Sequence, residues 1–267
     1  MTNTPTILVF DSGLGGLTVY REVAAVRPDA RYVYAADDAA FPYGGWPEHD
    51  LSDRVVSVMG SLIGRYEPQL IVLACNTAST LTLQDLRRRF SLAFVGTVPA
   101  IKPACANSRT KLVSVLGTEA TVGREYTRAL IRDFAQGCDV TLVGSGRLAV
   151  LAEDMLHGER IDNDIIVAEI APCFVEKNGA RTDTVVLACT HYPLLLDRLR
   201  AAAPWPVTFI DPAAAIARRV QELLGPAPEK MNGRSAHIHF TSGKRPSGPL
   251  LSALSGFGFG PVPVSSP

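Results

Sequence analysis

The 267-residue chain has no surplus of either charge, since 26 basic and 26 acidic side chains cancel. That balance removes the electrostatic case for a nucleic acid or an anionic membrane as the main partner, because both are held through clustered positive charge. No uncharged apolar run approaches the roughly 18–20 residues of a membrane helix. Residues 1–8 lack the cationic start and apolar core of a secretory leader. A soluble, cytoplasmic protein with no nucleic-acid or membrane partner is therefore expected. The cysteines (Cys75, Cys105, Cys138, Cys173 and Cys189) are odd in number and include no C-x-x-C pair. Reduced thiols fit that set better than a disulfide framework or a zinc cage.

What is present describes an ordinary globular chain, 47% apolar and 19% charged. Single cores stop growing at about 250–300 residues, so two smaller domains are as natural as one large one. Short apolar runs at 6–10, 31–35, 70–74, 92–95, 111–116, 140–143, 184–188 and 207–210 read as strands. Helical patterns fall between most of them, at 17–26, 81–90, 122–135, 148–156 and 164–176. Continuous Val/Ile/Leu runs alternating with amphipathic helices predict parallel strands covered on both faces, the α/β class. Beyond Arg245 the chain is rich in Pro, Gly and Ser, which predicts a short helix near 250–254 and then a mobile end.

One internal echo stands out. Val72-Leu-Ala-Cys75 recurs as Val186-Leu-Ala-Cys189, 114 residues on, and each copy leaves an apolar strand for small polar residues. Four such residues are also what any buried strand contains, but the matching polar exits favour two related α/β halves. Each half would place a cysteine at a strand's carboxyl end, where open parallel sheets bind ligands. A thiol there also sits near a helix N-terminus, whose dipole favours the thiolate. Cys105, Cys138 and Cys173 lack polar company and read as small buried hydrophobes.

Asp11-Ser-Gly-Leu-Gly-Gly16 follows the first strand, but a G-x-G-x-x-G fingerprint would need Gly where Thr18 stands, and no G-K-[ST] follows. Neither a dinucleotide nor ATP is expected. What remains is a carboxylate, a hydroxyl and open backbone N–H groups at the ligand edge. Phe41-Pro-Tyr-Gly-Gly-Trp-Pro47 is a rigid aromatic loop suited to cover a small site. His237-Ile-His239 puts two imidazoles on one strand face with no third ligand nearby, so no metal site is expected.

Taken together, Asp11-Ser-Gly-Leu-Gly-Gly-Leu-Thr-Val19, Pro42-Tyr-Gly44, Ala74-Cys-Asn-Thr-Ala78 and Ala188-Cys-Thr-His-Tyr-Pro193 make the chain resemble the glutamate racemases of the aspartate/glutamate racemase superfamily. Gly117-Thr118 with Ala120-Thr121, and Asp211-Pro212, are weaker matches, and the resemblance runs from Phe10 to about Gly243. It implies two similar parallel-sheet α/β domains related by a pseudo-twofold axis, with the active site in the cleft between them. The expected division is residues 1–98 plus 209–267, carrying Asp11 and Cys75, and residues 99–208, carrying Cys189 and His191.

By the same resemblance, Cys75 and Cys189 look like two acid/bases, one on each face of the substrate α-carbon. Asp11 looks like the carboxylate assisting the first, His191 the imidazole assisting the second, and Glu153 the auxiliary glutamate. Ser12, Pro42, Tyr43, Gly44, Asn76, Thr77, Thr118, Thr121 and Thr190 match positions that bind the substrate. Where many relatives have a basic residue and Ser after Pro-Tyr-Gly, this chain reads Gly45-Trp46-Pro47-Glu48, which leaves that loop's conformation open. The resemblance also implies glutamate as substrate, a homodimer, no cofactor or metal, and a supply of D-glutamate for peptidoglycan. With only five lysines and no recognisable phosphate cup, the sequence offers no positive sign of pyridoxal phosphate. Three other readings compete. A thiol hydrolase or amidase using Cys189 with His191 leaves Cys75 unexplained, a two-lobed amino-acid-binding protein needs no paired thiols, and a single-thiol decarboxylase would not need Cys189.

Overall fold

Buried on both faces, the apolar runs become parallel strands. In the computed structural model, which describes residues 4–228 and 235–260, β1 (Thr6–Asp11) leads to α1 (Leu17–Val26), β2 (Arg31–Ala36), α2 (Glu48–Tyr66), β3 (Leu70–Leu73), α3 (Asn76–Arg89) and β4 (Ala93–Gly96). A second series runs α4 (Ile101–Asn107), β5 (Leu112–Gly117), α5 (Glu119–Gly123), α6 (Glu125–Phe134), β6 (Asp139–Gly144), α7 (Leu148–Leu156) and α8 (Asn163–Ile170). After a small antiparallel hairpin, β7 (Glu176–Lys177) with β8 (Ala180–Arg181), come β9 (Thr184–Ala188), α9 (Leu196–Ala202) and β10 (Thr208–Ile210). The chain then adds α10 (Ala213–Leu224), β11 (Ser235–Phe240) and α11 (Gly248–Gly256). One sheet has the order β11-β2-β1-β3-β4 and the other β10-β9-β5-β6, and every pairing within them is parallel.

Side chains alternate across a strand, so each sheet buries two separate layers. Ile7, Val9, Leu70 and Val72 pack with α1 and α10, while Leu8, Phe10, Ile71 and Leu73 pack with α2 and α3. In the second sheet Val185 and Leu187 face α7, α8 and α9, and Val113, Val115 and Val186 face α4. Truncating one of the Leu or Ile side chains to Ala costs about 2–5 kcal/mol.

The two sheets share one topology, because β2-β1-β3-β4 maps onto β6-β5-β9-β10. Val9 lies opposite Val72 and Val115 opposite Val186, so the repeated Val-Leu-Ala-Cys keeps the same register in both. Phe209 and Ile210, expected with the first unit, belong to the second sheet through the pairing of β10 with β9. Among the described residues no helix is long and apolar enough to cross a membrane.

All the expected strands are present to within a residue at either end, and α7 spans its expected range. The helix expected over 164–176 stops at Ile170, because Pro172 cannot continue it. The one expected over 122–135 breaks at the extended Arg124 into α5 and α6. The helix after Cys75 begins at Asn76, five residues before the expected start at Leu81. No element was expected over α2, a 19-residue helix whose Leu51, Val55, Met59 and Leu62 make one buried stripe. The helix near 250–254 is α11, and the expected mobile end at 261–267 lies outside the described residues.

Asp183, just ahead of β9, ties the turn after α4 to the second sheet. It accepts from the Ser108 hydroxyl at 2.7 Å, the amides of Arg109 and Thr110 at 2.7 and 3.0 Å, and the Thr184 hydroxyl at 2.9 Å. Partial burial pushes its pKa up, but these donors prevail and hold it at about 2. The depressed value means a stabilisation that is full above the unfolded value of about 3.9 and lost as pH falls toward about 2. Urea unfolding of wild type and Asp183→Asn should therefore show a stability gap at pH 5 that narrows steadily between about pH 4 and about pH 2. A gap independent of pH would show that the carboxylate charge plays no part.

Candidate active site

Cys75 follows β3 in extended conformation and caps α3, its Sγ accepting the Ala78 amide at 3.5 Å. The Ser12 hydroxyl oxygen lies 3.8 Å from the same sulfur. Asp11 ends the neighbouring β1, fully buried, with Oδ2 2.8 Å from the Gly16 amide and Oδ1 3.5 Å from the Thr190 hydroxyl. Burial pushes the Asp11 pKa up, opposed by His191 and the Gly16 amide. Burial likewise pushes the Cys75 thiol well up, Asp11's charge adds to it, and the Ala78 amide pulls the other way.

Cys189 occupies the corresponding place after β9, with Sγ 3.8 Å from His191 Nδ1. The His191 Nε2 lies 2.8 Å from Glu153 Oε1, on α7, and 3.2 Å from the Gly15 amide. Burial works against charge on His191, but its hydrogen bonds to Cys189 and Glu153 and the nearby Asp11 prevail and hold its pKa well above the usual value. The two thiols thus have opposite company, one beside a carboxylate and the other beside an imidazolium. A Cβ at Gly15 would collide with the His191 ring and backbone, and one at Gly13 would displace the Glu153 carboxylate. Close approach of the two units, rather than phosphate binding, is what these glycines serve.

Both thiols open onto one cavity of about 20 Å³, walled by Ser12, Phe41, Pro42, Tyr43, Gly44, Cys75, Asn76, Thr77, Thr118, Ala149, Cys189, Thr190 and His191. Eleven of the expected site residues are in that wall. Asp11, Glu153 and Thr121 are not; they stand behind it, bonded to Thr190, His191 and Thr77 respectively. A far larger hollow of about 960 Å³, between α3, α4, α6 and α10, contains no cysteine or histidine. Volume alone does not locate the chemistry.

The wall is polar where a small anion would be held. Thr77, Thr118 and Thr121 form a triangle of hydroxyls with Oγ1 separations of 3.1, 3.2 and 2.9 Å. Asn76 is 2% exposed and neither atom of its amide has a hydrogen-bond partner among the described residues. Buried amides are nearly always paired, so this one is poised toward the cavity rather than toward the fold. Tyr43 differs: its hydroxyl donates to Asp37 at 2.6 Å, Asp37 pairs with Arg54, and the phenol anchors the 41–47 loop.

Sequence reasoning missed three contributors. Phe41 packs on His191 with ring centroids 5.3 Å apart, and the aromatic loop was its one available signal. Ala149 gave none. Arg124 gave none either, because its partners lie far along the chain: its guanidinium donates to the Thr77 carbonyl, to Thr80 Oγ1 at 2.8 Å and to Glu48 at 3.1 Å, clasping the two units. His237 and His239 lie on β11 against Tyr66, whose hydroxyl is 3.0 Å from His239 Nδ1, and belong to packing rather than to the cavity. Losing an ordinary buried hydrogen-bonded amide costs about 1–3 kcal/mol. Asn76→Ala should instead leave the thermal melting temperature unchanged or raised, and a drop of several degrees would assign Asn76 to the fold.

A model of the Asp/Glu/Hydantoin racemase family matches residues 17–220. The chain is 53% identical over 257 residues to the glutamate racemase of Brucella canis, covering 94% of this chain and 92% of that one, and 54% identical over 255 residues to that of Brucella anthropi, covering 94% and 91%. Among solved structures, Escherichia coli glutamate racemase in complex with L-glutamate and the activator UDP-MurNAc-Ala is 41% identical, covers 96% of each chain and superposes with a TM-score of 0.87. The enzyme from Aquifex pyrophilus, at 28% identity over 96% of this chain and 97% of that one, gives 0.71. With two matching parallel sheets, a thiol at each corresponding strand end and a family match over most of its length, the chain belongs to the Asp/Glu/Hydantoin racemase family and is an amino-acid racemase, an isomerase.

Proposed function

We propose that the protein interconverts L- and D-glutamate by passing a proton through the α-carbon between Cys75 and Cys189, without a cofactor. One base alone tends to return the proton to the face it left. Two groups flanking a planar carbanion solve this, one taking the proton as thiolate while the other gives one as thiol. The observation that carries the reading is the pair of sulfurs on one cavity with opposite electrostatic company. In one direction Cys189, beside the His191 imidazolium, is the thiolate base and Cys75 the thiol acid; the reverse reaction exchanges the roles.

Asp11 supports Cys75 and is itself steadied by the Gly16 amide. His191, oriented by Glu153, supports Cys189. Ser12, Asn76, Thr77, Thr118 and Thr190 hold the substrate's carboxylates and amino group, with Thr121 acting through Thr77 and Thr118. Pro42, Tyr43 and Gly44 close the wall and exclude water, which strengthens every donor inside. Removing one such donor from a developing oxyanion typically costs about 2.7–4 kcal/mol. Glutamate as the substrate is supported by the names of the Brucella relatives and by the L-glutamate bound to the Escherichia coli structure. The product D-glutamate would supply peptidoglycan synthesis, in the cytoplasm and from a homodimer. The units we propose are 1–98 with the segment after Ile210, and the intervening stretch.

The purified protein, incubated with L-glutamate in D2O without added cofactor, should lose circular dichroism while deuterium appears at the α-carbon. L-Aspartate in the same assay tests the substrate assignment. Cys75→Ala and Cys189→Ala should each lower racemisation by at least about 10³-fold. Near-normal activity in either variant would remove that thiol from the mechanism, and release of ammonia from an amide would favour a hydrolase instead. Asn76→Ala should lower kcat/KM in this assay by tenfold or more, on the order of one lost hydrogen bond to a charged group.

A further inference from the structure

The cavity shared by the two sulfurs has about 20 Å³ of free space, room for about one water. An amino acid the size of glutamate does not fit, so the units must part to exchange ligand and close again to react. Parting has unequal consequences for the two thiols. The groups that hold Cys75, the Ser12 hydroxyl and the Ala78 amide, and Asp11 behind them, belong to its own unit; what reaches Asp11 across the cleft is a long 3.5 Å contact from Thr190 and the charge of His191. On the other side, His191 and Glu153 are held from across the cleft. The Leu14 amide donates to Glu153 Oε1 at 2.5 Å and the Gly15 amide approaches His191 Nε2 at 3.2 Å, both from the loop after β1.

We propose that loop 13–16 is a positioning element for the second acid/base: closure docks the Leu14 and Gly15 amides on Glu153 and His191 and so completes the Cys189 side, whereas the Cys75 side is complete within its own unit. The inference rests on the roles given above to the two thiols. His191 Nε2 faces an acceptor and a donor at once. As imidazolium it donates to Glu153; as neutral imidazole it accepts from Gly15. The ring therefore keeps a hydrogen bond in either state, which a site that must run in both directions requires. The Leu14 amide steadies the Glu153 charge while the ring is charged. Glycine at 13 and 15 is what lets the loop come this close.

The test separates the two faces. Exchange of the α-hydrogen of glutamate into D2O is measured in Cys75→Ala, where Cys189 acts alone, and in Cys189→Ala, where Cys75 acts alone, each with and without Gly15→Ala. Misplacement of a reacting group by about 1 Å costs on the order of 100-fold, and that loss is expected through Cys189 only. Exchange through Cys75 should stay within about threefold, because the substitution leaves the Gly16 amide on Asp11 in place. Glu153→Ala removes the group that orients His191, so it gives the same split in any case and serves as the control for a disturbed Cys189 side. Leu14→Pro, which deletes the amide donor and leaves Glu153 in place, should reproduce the split and decides the matter if melting shows that Gly15→Ala does not fold. Gly45→Ala, where no atom lies within 4 Å of the added carbon, should change neither face. Equal losses on both faces, or no loss through Cys189, overturn the proposal. Racemisation surviving in either single-thiol enzyme, or exchange through neither, overturns the two-thiol reading itself, and this inference with it.

Discussion

The pairing of β1 with β3, repeated as β5 with β9, is the constraint on which the cleft depends. In each sheet these are the central strands, and both end at the same edge. Whatever follows them is delivered to a fixed place, with depth and direction set by a register that the buried Val and Leu side chains do not allow to slip. Cys75 and Cys189 inherit their positions from that register, and Asp11 and Thr118 from the partner strands. Facing the two edges toward each other turns a repeated architecture into a site with two related walls. A reaction whose substrate and product are mirror images asks for walls of that kind.

The walls are related without being equivalent. Around Cys75 the neighbouring charge is negative and the thiol is held protonated. Around Cys189 it is positive, since burial of His191 is outweighed by three anionic or thiol neighbours. A strictly symmetric site would give both sulfurs the same neighbours. The difference lies in what comes after the strand: Asn76-Thr77 continues directly into a long helix, whereas Thr190-His191 enters a short turn that returns the imidazole to the sulfur.

Most of the strand framework was legible in the sequence because strands covered on both faces are continuous apolar runs. The helix α2 was not, since its buried stripe is diluted by a long polar face and follows an aromatic loop that draws attention elsewhere. At the site, the residues of the cysteine motifs and of the opening Asp11 motif could be named because they sit side by side in the chain. Depth could not be: Asp11, Glu153 and Thr121 read the same in sequence as the residues that touch the cavity, and only packing places them one layer back. Contacts such as Arg124 on the Thr77 carbonyl, 47 residues apart, leave no local trace.

The triangle of Thr77, Thr118 and Thr121 carries a consequence of its own. Each hydroxyl owns a single proton, so a closed ring of three uses every donor internally and leaves only lone pairs facing outward. Such a ring repels a carboxylate until it opens, and each O–H turned outward sacrifices one internal bond. Because Thr77 stands on one side of the cleft and the other two on the opposite side, two of the three bonds cross it, and separating the sides frees the Thr77 proton together with one from the opposite pair.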